Sequence, residues 1–227
     1  MELEALSSVR TGKCGDLARL AAELRDGGLR LLDDVVFLSP VRSGEYGTQH
    51  LARILRKVFN PDGEPVKGTP FFTGDPVIAT RNDYVDNPKS RTRHPGRRRD
   101  VYNSMKGYIT RQSDDAVWVT YIVLGDRFEV PYSPAELTYR LDAAYALTVH
   151  KMQGDEAPYV VFVNHKSISR NMLYTAVTRA SKKLFLLGQG WLEAAQKPVE
   201  EPLSKFIFRL KPNVTAHADD DGESLFT

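Results

Sequence analysis

The chain has 227 residues, 41% hydrophobic and 26% charged, proportions ordinary for a globular protein of one compact domain with an insertion or of two small ones. Its formal net charge of +2 is too small to indicate a nucleic-acid binder by itself, so that argument must rest on how the charge is distributed. A single cysteine, Cys14, excludes an internal disulfide and a cysteine-rich zinc site.

No apolar run approaches the length of a membrane span, and the N-terminus lacks the charged-then-apolar layout of a signal peptide. The cytosol, a reducing compartment, is the expected location.

In chain order, Leu17, Leu20, Ala21 and Leu24 recur at helical spacing, with Asp16 placed to cap the helix and Gly27-Gly28 to stop it. Arg10-Thr11-Gly12-Lys13 has some look of a phosphate loop. It lacks the earlier Gly that motif needs, and Cys14 follows Lys13, so it reads as an ordinary loop. Residues 34–40 read as a buried strand around Val35-Val36-Phe37-Leu38. The run from Gly47 to Phe59 reads as a helix with Leu51, Ile54, Leu55 and Val58 on one face.

Between Asn87 and Asp100 lies a basic run without apolar periodicity, containing Arg97, Arg98 and Arg99 after His94-Pro95-Gly96. Phosphate contact is its functional reading, and a solvated hairpin tip is the alternative. The segments from Gly107 to Thr110, Ala116 to Ile122 and Arg127 to Val130 then read as a hairpin meander. Their turn signals are at 113–115 and 124–126.

Two strand-like runs, Tyr159 to Val163 and Lys183 to Leu187, flank a helix-like run from Arg170 to Ser181. That βαβ pattern argues for a parallel sheet. Polar residues gather where the pattern stops, at 148–156 and 174–180, and that is where α/β folds place ligands. Taken alone, these clusters are also compatible with a plain helix-entry loop and a helix carrying a snorkelling Arg. After Trp191 a short helix runs into Pro198 and Pro202, residues 204–210 could add an apolar element, and the acidic end at 219–223 is expected to be disordered.

Together the segments carry a resemblance. The run AYALTVHK-x-QG-x-E at 144–156 resembles motif V, and LYTAVTRA-x-KKL-x-L-x-G at 173–188 resembles motif VI, of superfamily 1 helicases of the RecD-like, 5′ to 3′ class. That group includes the conjugative relaxase-helicases. SP-x-R-x-G-x-x-G-T at 39–48 resembles the motif IV region. GD-x-V-x-x-x-x-N at 74–82 resembles the segment where such chains leave the motor domain for a small inserted barrel. The sequence departs from the family at 101–107, where an Asn-Gly-Asp turn is usual, and at Met152 and Asp155, where Ser is common.

The resemblance implies an α/β fold: a RecA-like parallel sheet of the P-loop-NTPase type, here lacking the phosphate loop, with an inserted SH3-like β-barrel. It implies a motor domain over 31–75 plus 141–197 and a barrel over 76–140 bearing the basic loop 87–100, preceded by a helical segment 1–30 and followed by a tail 198–227. Thr148 and His150 match positions that face single-stranded DNA, and Gly154 and Glu156 match positions turned to the nucleotide. Arg42 would reach a phosphate from beyond the carboxyl end of a strand, or else pair on the surface with Glu45. Arg179 matches the motif VI arginine finger.

The sequence has no G-x-x-x-x-G-K-S/T, and its Asp33-Asp34 pair precedes a strand rather than following one. ATP and Mg2+ would therefore be held only together with a missing N-terminal ATPase half. The expected function is the C-terminal half of an ATP-dependent DNA helicase. The alternative is a non-catalytic nucleic-acid-binding module derived from one.

Overall fold

The computed structural model describes residues 9–83, 100–123, 126–164 and 168–198. The basic run through Arg97, Arg98 and Arg99, and the tail beyond 198 with its apolar and acidic stretches, lie outside the described residues.

A five-stranded parallel sheet is built from β1 (Val9–Gly12), β2 (Val35–Ser39), β8 (Leu147–Thr148), β9 (Ala157–Asn164) and β10 (Ala180–Gly188), in the order β1-β10-β9-β2-β8. The middle stretches of its central strands, 35–38, 160–163 and 184–187, are continuously apolar because both faces are covered. Val35, Phe37, Val161, Val163, Phe185 and Leu187 point to one face, under α1 (Leu17–Asp26) and α2 (Thr48–Phe59). Val36, Leu38, Val160, Phe162, Leu184 and Leu186 point to the other, under α4 (Arg170–Val177) and α5 (Trp191–Gln196). The period-two alternation of one strand thus feeds two cores, giving three layers.

Three sequence expectations change here. Residues 10–12 are a strand: β1 runs parallel to β10 and pairs Val9 with Leu184 through Gly12 with Leu187. Its residues are largely exposed, so no apolar alternation marks it; the unpaired edge of β10 makes it a strand. The N-terminal segment consequently belongs to the parallel-sheet core. Asp16 does not cap α1, because a 3-10 turn at Cys14–Asp16 already places it in helical geometry. Its carboxylate instead accepts from the Lys13 backbone N–H at 3.0 Å. Finally, α4 ends at Val177, so Arg179 sits at the junction with β10 and not on the helix.

The second sheet is antiparallel: β3 (Pro76–Ala79), β4 (Lys106–Gln112), β5 (Val117–Val123), β6 (Asp126–Tyr132) and β7 (Leu141–Ala143), in the order β6-β5-β4-β3-β7, with α3 (Pro134–Arg140) joining the two edges. Ser133 and Glu136 form a capping box that starts α3, with Pro134 at the first helical position. Val77, Ile109, Val119, Val130 and Leu137 make its separate core, in which Tyr121 and Tyr132 share a buried 2.8 Å hydrogen bond. Pairing with β3 carries this unit through Ala143, past the expected limit at residue 140.

The chain crosses between the two sheets at Asp75 and again at Ala144–Ala146, and the crossings are fastened to each other. Asp75 is 1% exposed. Its carboxylate accepts from Tyr145 Oη at 2.7 Å, Asn60 Nδ2 at 3.0 Å and the Phe72 backbone N–H at 2.9 Å, with Arg56 Nη1 at 3.8 Å. A carboxylate so deeply buried is tolerable only with such a full set of partners. Burial, and then the negative charge of Asp75, push the Tyr145 hydroxyl well above the ordinary phenol range. A second tie runs from Tyr108 Oη to the Leu31 carbonyl at 2.6 Å, and burial lifts that phenol to about 12. Among the described residues no helix is long and apolar enough to cross a membrane.

Candidate functional site

Of the polar residues picked out by the sequence, Arg42 and Thr148 lie at the carboxyl end of the parallel sheet, whereas Gly154, Glu156 and Arg179 precede β9 and β10 and lie at its amino end. Ser39 and Thr148 end β2 and β8 as register partners. Ser39 is fully buried and donates to the Tyr46 carbonyl at 2.7 Å, which folds the 40–47 loop back over the strand end. Arg42 projects from that loop and is largely exposed. It pairs with Asp142 of β7 at 2.8 Å rather than with Glu45. The expectation of a local partner fails because β7, distant in sequence, brings its carboxylate to the loop.

After Thr148 the chain makes a 3-10 turn, Val149–Met152. Val149 and Met152 are buried in the sheet's core, which fixes the turn and holds His150 exposed and Lys151 half-buried on the outside. Lys151 Nζ reaches the second oxygen of Asp142 at 3.1 Å. One carboxylate of the antiparallel unit thus holds two cations of the parallel unit. Arg42, Asp142, Thr148 and Lys151 line a cavity of about 380 Å³ at the joint of the sheets, with Arg53 and Arg56 of α2 on its far wall. Sequence reasoning passes over Lys151, Asp142, Arg53 and Arg56. The only signal was that Lys151 lies inside the stretch resembling motif V.

The loop then turns through Gly154, whose φ of +93° is a conformation L side chains rarely adopt. A Cβ there would meet nothing within 4 Å, so backbone geometry alone accounts for glycine. Glu156 is exposed beside it. Arg179 meets this loop: Nη1 donates to the Asp155 carbonyl at 3.0 Å, Nε to the Thr175 carbonyl at 3.0 Å and Nη2 to Thr178 Oγ1 at 3.1 Å. The Ala157 N–H returns a bond to the Arg179 carbonyl at 2.9 Å.

Gly154, Glu156 and Arg179 are therefore gathered on one loop and one helix end. Arg42, expected with them at a nucleotide, instead shares its cavity with Thr148, and none of those three residues lines it. Asp33 and Asp34 pair with Arg30 at 3.3 and 3.1 Å, and the Arg30 backbone N–H holds the Asp34 carboxyl below its usual range.

Comparison with known proteins gives the class. Residues 143–187 match the UvrD-like helicase C-terminal domain. The chain is 31% identical over 185 residues to the ATP-dependent RecD2 DNA helicase of Deinococcus radiodurans, an alignment covering 78% of this chain and 23% of that one. It is 29% identical over 177 residues to the RecBCD enzyme subunit RecD of Mycolicibacterium smegmatis, covering 75% and 28%. A chain from a structural study of two coordinating Pif1 helicases superposes over 87% of this chain and 47% of its own length, at 15% identity and a TM-score of 0.47.

The chain is thus a homologue of RecD-type helicases over about three quarters of its length, with the match to the UvrD-like helicase C-terminal domain confined to residues 143–187. It spans about a quarter of the length of these curated relatives.

Proposed function

We propose that this chain is the half of an ATP-dependent DNA helicase that grips single-stranded DNA and presents an arginine to ATP bound by another, P-loop-bearing half. The observation that carries the reading is the contact between the 148–156 loop and Arg179 through the Asp155 carbonyl. It couples the segment resembling the DNA-facing motif to the segment resembling the arginine-bearing one. The antiparallel unit is then the inserted SH3-like barrel of such motors.

Arg179 suits the role electrostatically. Its three hydrogen bonds go to neutral oxygens, and among the described residues it forms no ion pair, so its full charge is available to a phosphoryl group. A guanidinium carries five N–H donors, which leaves one on each terminal nitrogen for that group while the rest stay anchored. The Thr148 hydroxyl and the exposed His150 ring are suited to a backbone phosphate and to a sugar or base. Glu156 and Gly154 face the nucleotide on this reading, the carboxylate towards ribose hydroxyls. Arg42, with Lys151, belongs on the strand side of the site.

Among the described residues no cluster of His, Cys, Asp or Glu could hold a metal. Mg2+ and the phosphates are assigned to the other half because this sequence contains no G-x-x-x-x-G-K-S/T and its Asp33-Asp34 pair precedes a strand. A non-catalytic nucleic-acid-binding module is the second reading, and the local bonds that occupy Arg179 are what favour it.

The basic run is tested through salt. Replacing Arg97, Arg98 and Arg99 by Ala is expected to lower the slope of log affinity against log salt for single-stranded DNA by about 2. That follows if each arginine neutralises one phosphate at about 0.7 per contact on a single strand. Thermal unfolding should not move. An unchanged slope would return the run to a solvated loop.

A further inference from the structure

A cation of the inserted antiparallel unit braces the loop that holds Arg179. Lys106 opens β4, where it pairs with Ile78 of β3, and its side chain is 23% exposed. Its Nζ lies 2.8 Å from Asp155 Oδ2 and 3.6 Å from Met152 Sδ. Asp155 is thus held on both sides. Its carboxylate is taken by the antiparallel unit, and its carbonyl by Arg179 of the parallel unit.

The surrounding loop needs such a brace. Residues 153–156 are all exposed, and Gly154 at φ +93° has open space about it. The tip's backbone bonds turn back on the preceding 3-10 segment: Gln153 N–H to the His150 carbonyl at 3.3 Å and Asp155 N–H to the Met152 carbonyl at 3.1 Å. Loss of the lysine would free the carboxylate and, with it, the peptide whose oxygen orients the guanidinium.

We propose that Lys106 is a positioning residue for Arg179, setting through Asp155 where the guanidinium points. The antiparallel unit is then a structural member of the nucleotide-facing site as well as a neighbour of the strand. This rests on the reading of Arg179 as the residue that meets the transferred phosphoryl group. Small displacements of a group acting on a transition state are costly in rate while leaving ground-state binding nearly intact. The effect therefore falls on kcat.

The experiment uses the chain assembled with a helicase ATP-binding half, measuring steady-state ATP hydrolysis, single-stranded DNA affinity and thermal unfolding for each variant. Lys106→Met is expected to lower kcat about five- to tenfold, with KM for ATP and DNA affinity within twofold of the parent and little change in melting temperature. Lys106→Arg should stay near the parent. The exchange Lys106→Asp with Asp155→Lys should recover most of the loss, since it rebuilds the pair with its sign reversed.

Parent-like kcat in Lys106→Met would overturn the proposal, as would a loss that the exchanged pair fails to recover. Arg179→Lys in the same assembly separates this failure from a wider one. If Arg179→Lys is inactive while Lys106→Met is normal, only the brace is wrong. If Arg179→Lys turns over normally, the assignment of Arg179 itself falls.

Discussion

Replacing Arg179 by Lys is expected to lower ATP hydrolysis by roughly a thousandfold or more in an assembly of this chain with a helicase ATP-binding half, with the fold and DNA binding retained. The guanidinium is planar and spans Asp155, Thr175 and Thr178 at once. An ammonium is a point charge on a flexible stem. It keeps the sign but cannot hold those anchors and still offer two diverging N–H groups to a phosphoryl oxygen pair.

The bland account of the same residue, a snorkelling side chain that ties off a helix end, makes a different prediction. Lys would then cost about 1 kcal/mol or less in stability, and turnover would be near normal. Turnover and unfolding measured on one mutant separate the two.

Gly188→Ala is expected to destabilise the parallel sheet by about 3 kcal/mol or more. Gly188 ends β10 opposite Asn164 of β9 and has φ +106°, a region that L side chains rarely enter. An added Cβ would lie 1.7 Å from the Asn164 carbonyl oxygen and 2.7 Å from Cys14 Sγ, so backbone would have to move. That oxygen also accepts from the Gln189 N–H at 3.1 Å, and the Asn164 side chain returns a bond to the Gln189 carbonyl at 2.9 Å. Strain in the backbone and the loss of this edge would add. A urea midpoint within error of the parent would show that the strand end relaxes freely.

The middle of the parallel sheet was legible because β2, β9 and β10 carry runs apolar on both faces and α1 and α2 carry apolar stripes. Val35 to Leu38, Tyr159 to Val163 and the α2 face announce themselves locally. β1 was not legible, since its largely exposed residues become a strand only through the edge of β10. Long-range pairing hid the charged pairs for the same reason. Arg42 has Glu45 nearby in sequence, but Asp142 arrives from a different sheet, and the Lys106–Asp155 pair joins two units that sequence reading treats separately. The 148–156 and 174–180 clusters were legible as polar interruptions of apolar sequence. Their meeting through Asp155 was not, because a backbone carbonyl carries no sequence signature.

Single-stranded DNA binding at the end of β8 is the central claim, and a fluorescence-anisotropy titration of a labelled oligothymidine tests it most directly. The purified chain is expected to bind with strong salt dependence. Thr148→Ala combined with His150→Ala should weaken binding about tenfold or more, because each removes a group that the proposed function assigns to phosphate, sugar or base, while both side chains are peripheral to the core that Val149 and Met152 fix. Unfolding temperature should be close to the parent's. Absence of binding by the parent chain, or equal affinity in the double mutant, would contradict the account.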